Sequence, residues 1–236
     1  MLRTRHAFDA ELEQLKQRLV SMASFVESML DRSVQALHDQ DVAAAEQVIR
    51  DDDVADDMDL EIEQRCIKLL ALQQPMSRDL RMIGTVLKVI ADIERVGDYS
   101  VDIARAALNL AQTPYFKELV DIPRMATLVK TMLRDALQAL VHEDLALVQK
   151  VVDEDDQVDR MWYGLLEELI TVMEQRPEVV RQATHLLLVA RYLERIADHI
   201  VNIVERVAYM STGSMESLAP SHHGLKEDQS PEGPVE

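Results

Sequence analysis

Asp92-Ile93-Glu94-Arg95-Val96-Gly97-Asp98 returns as Tyr192-Leu193-Glu194-Arg195-Ile196-Ala197-Asp198. Each copy is an apolar stretch broken by Glu, then Arg, then Asp four residues after the Glu. On a helix, positions i and i+4 lie on one face, one turn apart. Two carboxylates there repel by roughly 0.2–0.5 kcal/mol on an isolated helix. One such pair means little. A pair that recurs 100 residues later, with the same Arg inside it, points to a duplicated helical unit with a shared purpose.

The spans around these motifs are helical in pattern. Phe8, Leu12, Leu15, Leu19, Met22, Val26 and Met29 recur at alternating steps of four and three, the seam of a helix bundle. Prolines 75, 114, 123 and 177 fall between long proline-free spans, which places boundaries there. The expected helices run from about Thr4 to Gln40, Asp41 to Gln74, Ser77 to Gln112, Asp121 to His142, Asp144 to Gln175 and Pro177 to Met210. Asp41 is a good N-cap for the second, and Ser77 is the candidate cap for the third.

The six helices read as two copies of three. At an offset of 103, Asp41 meets Asp144, Val48 meets Val151, Asp52 meets Asp155, Asp56 meets Asp159 and Met58 meets Met161. In the third helix of each copy the offset is 100, so the intervening region differs by three residues. Repetition in register predicts an all-α fold of two tandem, pseudo-symmetric three-helix bundles, six long helices in an elongated molecule. The expected division is 1–114 for the first bundle, 115–211 for the second and 212–236 for a disordered tail. The tail expectation follows from composition: residues 211–236 hold three of the six glycines and three of the seven prolines.

Composition narrows the function. Aromatic residues are 4% of the chain and hydrophobic residues 47%, which favours helix over strand and supplies a core. The formal charge of −18 argues against nucleic acid or anionic membrane as the main partner, because both need a basic face. No stretch approaches the ~20 uncharged apolar residues of a membrane span, and no signal peptide opens the chain. The expectation is a cytoplasmic protein without direct membrane insertion. The single cysteine, Cys66, excludes an intramolecular disulfide and a thiolate cluster and reads as an inert thiol. Neither a Gly-rich phosphate loop nor a nucleophile–His–acid set is present, so the chain does not read as an enzyme.

The acids carry the remaining signal. Asp52 and Asp56 interrupt the core-facing stripe of the second helix, and Asp155 and Asp159 do the same in the fifth. Antiparallel packing would bring 52/56 against 94/98, and 155/159 against 194/198. Four carboxylates in an apolar setting need a compensating charge or a metal. Hard oxygen donors suit Mg, Mn, Ca or oxidised iron, with zinc less typical. A ferritin-like di-iron site is disfavoured, since no Glu is followed three residues later by His. The bland alternative is that the acids form solvated faces, as expected for Asp51, Asp53, Asp57 and Glu154, with Arg95 and Arg195 as flanking compensation. His38 and His142 read as residues favourable at helix C-termini. His199 reads as a surface or interface residue.

With Glu-Arg-Val-Gly-Asp and Glu-Arg-Ile-Ala-Asp in place, the chain resembles the PhoU family, bacterial regulators of phosphate uptake. Gln74-Pro75-x-x-x-Asp79-Leu80-Arg81 before the first motif, and Asp102-Ile103 and Asn202-Ile203 after the two motifs, extend the resemblance over roughly residues 6–210. It implies two tandem three-helix bundles, often dimeric, whose Glu/Asp-x-x-x-Asp motifs hold metal clusters, iron and zinc among them. The implied ligands are Asp52, Asp56, Glu94 and Asp98, and Asp155, Asp159, Glu194 and Asp198, with Asp102 and Asn202 as additions. It further implies a negative regulator of phosphate-starvation signalling that contacts the phosphate transporter's ATPase and a sensor histidine kinase. Ala197 stands where glycine is usual, and Asn202 stands where Asp102 is acidic, so the second site is expected to be the weaker. Two other readings remain: a metal-binding storage or homeostasis protein, and a purely structural helical adaptor.

Overall fold

The computed structural model describes residues 2–73, 75–214 and 218. Six helices follow in order: α1 Leu2–Asp39, α2 Val42–Gln73, α3 Ser77–Leu110, α4 Asp121–His142, α5 Leu145–Gln175 and α6 Val180–Thr212. A single 3-10 turn, Pro177–Val179, leads into α6. α1 to α3 pack on one another as one three-helix bundle and α4 to α6 as a second. α1, at 38 residues, is about 57 Å long at 1.5 Å per residue. Of the tail expected over 212–236, all but residues 212–214 and 218 lie outside the described residues.

The duplication extends to the first helix of each unit. Met22, Val26, Met29 and Leu37 of α1 are all buried, and so are Met125, Val129, Met132 and Leu140 of α4, 103 residues on. Each such large side chain contributes about 1.5–3 kcal/mol through burial. The connections repeat too. Gln40 and Glu143 both adopt the left-handed conformation, at φ 55° and 54°, that ends the preceding helix. Asp41 then accepts from the Ala44 amide at 3.0 Å, and Asp144 accepts from Ala146 at 2.8 Å and Leu147 at 3.3 Å. These satisfy amide groups that a helix start leaves unpaired.

Three local expectations change. Ser77 is already helical, and Met76 occupies the cap position with extended backbone and no side-chain cap. Pro123 lies inside the first turn of α4, where its missing N–H costs nothing. Asp51 and Glu154 are not solvated: the Asp51 side chain is 15% exposed and pairs with Arg32 at 2.6 Å, while that of Glu154 is 13% exposed, 3.6 Å from Lys150. Asp51 thereby ties α2 to α1, whereas Glu154 pairs within its own helix. Cys66 is fully buried, and burial pushes its thiol up to about 12, which keeps it protonated and unreactive.

The bundles meet along α3 and α6, which run antiparallel, and along α1 and α4. On the first seam, Asp92 Oδ1 lies 3.0 Å from His199 Nδ1 and accepts from Asn202 Nδ2 at 3.3 Å. Tyr99 stacks on Tyr192 with ring centroids 5.9 Å apart. Shifting by 100 residues turns the pair 92/199 into 192/99, so a pseudo-twofold axis relates the two contacts. On the second seam, Lys130 pairs with Asp31 and Arg134 with Glu27, again related by that axis.

The linker is held from both sides. Gln40 Nε2 donates to the Leu110 and Thr113 carbonyls at 2.6 and 2.8 Å. Buried Gln182 accepts from the Phe116 amide at 2.8 Å and donates to the Pro114 carbonyl at 3.1 Å. The Tyr115 hydroxyl donates to the Leu37 carbonyl.

Candidate metal centres in two acidic grooves

The α2 acids do meet the α3 acids. α2 and α3 lie antiparallel, and burial raises the Asp52 carboxyl above its ordinary value, helped by the negative charges of Asp56 and, across the groove, Asp98. Burial also raises Glu94, and Asp98, Asp56 and Asp59 add to the effect. Asp52, Asp59, Glu94 and Asp98 are partly buried, and Asp56 is exposed at the rim. Arg95 supplies local compensation: its Nη1 donates to Asp98 Oδ2 at 2.8 Å, and its Nε lies 3.7 Å from Glu94 Oε2. This is the flanking role expected of it.

Asp59 is the residue that sequence reasoning left out of the set. It sits one turn after Asp56, its Oδ1 is buried without a hydrogen-bond donor, and burial together with Glu63 and Asp56 raises its carboxyl. The signal was present in the apolar phase, where Ala45, Asp52, Asp59 and Cys66 follow at seven-residue steps.

The second groove is drier. Asp155 is 2% exposed and Glu194 7%. Burial pushes Glu194 up to about 7, with the negative charges of Asp198 and Asp159 adding to it and Arg191 and Arg195 opposing it. Asp159 of α5 therefore faces Glu194 of α6, as Asp56 faces Glu94. Arg195 repeats Arg95, with Nη1 donating to Asp198 Oδ2 at 3.0 Å and Nε 3.8 Å from Glu194 Oε2. Arg191 has no counterpart in the first groove. Its Nη1 donates to Glu194 Oε1 at 2.5 Å, and its guanidinium carbon lies 5.5 Å from the centre of the Trp162 ring. Glu194 Oε2 is buried without a hydrogen-bond donor.

The two added candidates point elsewhere. Asp102 accepts from Arg105 at 2.8 Å, and its charge reaches Tyr192 on the seam. Exposed Asn202 is bound to Asp92, also on the seam. Gly97 does not mark an obligatory close approach: an added Cβ would meet Val26 Cγ2 at 3.7 Å and Ala55 Cβ at 4.0 Å, ordinary contacts. Ala197 in the second copy thus needs no special accommodation.

Could these residues hold a metal ion? Among the described residues no three His, Cys, Asp or Glu side chains stand arranged as a ready cage. The donor chemistry of the first groove nevertheless fits a hard cation: carboxylates from two facing helices, raised by burial and then by mutual repulsion, with a buried Asp59 oxygen lacking a donor. Carboxylates turned toward Arg95 would have to rotate inward.

A model of the PhoU domain matches residues 19–107 and again residues 122–207. The chain belongs to the PhoU family. A PhoU homolog of Aquifex aeolicus, described as a phosphate-specific transport system accessory protein, is 40% identical over 92% of this chain and 96% of its own length. One from Clostridium acetobutylicum with the same description is 38% identical over 91% and 99%. The crystal structure of PhoU from Pseudomonas aeruginosa superposes with a TM-score of 0.84 at 35% identity, covering 88% of this chain and all of that one. The phosphate transport system regulatory protein PhoU from Streptococcus pneumoniae gives the same TM-score at 32% identity. The two PhoU domains coincide with the two bundles, and each encloses one acidic groove. No helix among the described residues is long and apolar enough to cross a membrane.

Proposed function

We propose that this protein is a cytoplasmic negative regulator of phosphate uptake and of the phosphate-starvation response. It works by docking rather than by turnover, on the phosphate transporter's ATPase and on a sensor histidine kinase, as a homodimer. The observation that carries this reading is the pair of PhoU domains, with relatives of matching length described as phosphate-specific transport accessory proteins. Exposed Leu60 and Ile67 on α2, repeated 103 residues on as exposed Tyr163 and Ile170 on α5, offer apolar surface for such contacts.

Within this reading the first groove takes a metal ion, iron or zinc by kinship and Mg, Mn or Ca by donor chemistry. Asp52, Asp56, Glu94 and Asp98 would hold it, with Asp59 alongside. The ion would supply positive charge that offsets carboxylate repulsion and fastens α2 to α3, setting the shape of the docking surface. Asp155, Asp159, Glu194 and Asp198 present the same donor types, but Glu194 is already paired with guanidinium groups.

Deleting the gene should raise phosphate-responsive transcription and phosphate uptake in phosphate-rich medium. If both stay at the parental level there, the regulatory reading is wrong.

A further inference from the structure

We infer that the second groove carries its own cation, the Arg191 guanidinium, in the role that a metal ion plays in the first, so that metal loading is confined to the first bundle. This rests on the metal reading of the first groove. The two grooves are superposable in sequence, and they differ at three facing positions. Asp59 of α2 becomes Trp162 in α5, Glu63 becomes Leu166, and Ala91 of α3 becomes Arg191 in α6. Beside Glu194, two carboxylates are lost from one helix and one cation is gained on the helix that faces it, while Arg105, whose charge reaches Asp52 at the other end of the first groove, becomes Glu205.

These changes act together. Trp162 and Arg191 touch, with the guanidinium carbon 5.5 Å from the ring centre, while Nη1 bonds Glu194 at 2.5 Å. A guanidinium held over an aromatic face and bonded to a carboxylate is a fixed, weakly hydrated charge. It satisfies Glu194 Oε1 and, with Arg195 Nε 3.8 Å from Oε2, places two guanidinium charges on a carboxylate that at 7% exposure has little access to water. A metal ion entering there would have to displace Arg191 from both contacts and would find two fewer carboxylates. In the first groove Ala91 has no charge to offer, and Asp59, with a buried oxygen lacking a donor, adds a negative charge beside Glu94 where the second groove has the Trp162 ring. The asymmetry lies in the filling of the grooves. It does not lie at Gly97 and Ala197, where either residue fits, nor at Asn202, which serves the seam.

Trp162 is the single tryptophan, so its emission reports on the second groove alone. The test titrates the full chain, stripped with chelator, with Mn2+, reading bound metal by calorimetry and Trp162 emission together. Wild type should bind Mn2+ without change in emission. Glu94→Ala with Asp98→Ala should weaken binding by at least about tenfold, and Glu194→Ala with Asp198→Ala should leave it unchanged. Arg191→Met, which keeps the stem on the ring but removes the charge, should add a second Mn2+ that quenches Trp162. Quenching in wild type at the same Mn2+ concentration, or no added site in Arg191→Met, overturns the inference. If neither protein binds Mn2+ at all, the metal reading falls, and confinement to the first bundle falls with it. A thermal double-mutant cycle then still decides the internal cation. Arg191→Met should lower the melting temperature of wild type and leave that of Glu194→Gln unchanged, and equal losses in both would refute the role of Arg191.

Discussion

The two bundles share one backbone plan and one motif, yet their acidic grooves meet the same electrostatic problem differently. In the first, six acids (Asp52, Asp56, Asp59, Glu63, Glu94 and Asp98) lie partly wet around Arg95 and Arg105. In the second, four acids lie deeper and two arginines reach Glu194. Carboxylate repulsion is tolerated where water or an external ion can relieve it. Where burial removes that relief, the chain adds a guanidinium bonded directly to the buried carboxylate. A repeated motif therefore establishes a repeated place in the fold without establishing a repeated ligand.

The comparison can be broken or sharpened by substitution. The largest effect should come from the shared framework: Ile93→Ala and Leu193→Ala, equivalent and fully buried, should each cost roughly 2–5 kcal/mol in denaturant unfolding. Very unequal losses would mean that the bundles do not share one packing plan. Next comes pH. Burial holds Glu194 at about 7 when folded, against the ordinary 4.5 of an exposed glutamate when unfolded, so folding favours its protonated form. Its contribution to stability is complete below 4.5 and is lost as pH rises through 7. The full loss is on the order of 3 kcal/mol. Glu194→Gln should flatten that part of the profile, and an unchanged difference between pH 5 and pH 8 would contradict the burial argument.

A smaller effect should separate the glycine from the groove chemistry. Gly97→Ala should stabilise the protein by about 0.5–1 kcal/mol, because the added methyl meets only ordinary contacts and alanine is the better helix former. A loss measured by thermal melting would restore the view that the first groove needs a close helix approach. The smallest is Glu94→Gln in metal-free protein. Removing one like charge from a half-wet groove should add a few tenths of a kcal/mol. In metal-loaded protein the sign should reverse, and the same sign in both states would deny the first groove its ion.

Much of this fold was legible in the sequence because helix periodicity, Asp41 and Asp144 as caps, and the 103-residue register are local signals. The acid pairs were legible for the same reason, since antiparallel neighbours bring 56 opposite 94 without further information. The occupancy of the grooves was not read, although the repeat alignment already sets Asp59 against Trp162 and Ala91 against Arg191. Periodicity directs attention to what repeats, and the informative positions are those where the repeat fails. The seam partners of Asp92, His199 and Asn202 were beyond reach, because they depend on how one bundle slides along the other. Ser77 was misplaced as a cap by one residue, a slip that propensity alone cannot correct.

The α1–α4 seam has a consequence for how copies of this chain recognise one another. Both acids, Glu27 and Asp31, sit on the first half, and both bases, Lys130 and Arg134, on the second. If two first halves from separate molecules met across this seam, the pseudo-twofold relation would place Glu27 against Asp31. Two second halves would place Lys130 against Arg134. Like charges brought face to face oppose such pairings, whereas each half welcomes the other. A pair of self-complementary units could not hold opposite charges at equivalent places. Within one chain the equivalent positions carry opposite charge, and that polarity keeps the two halves at home with each other.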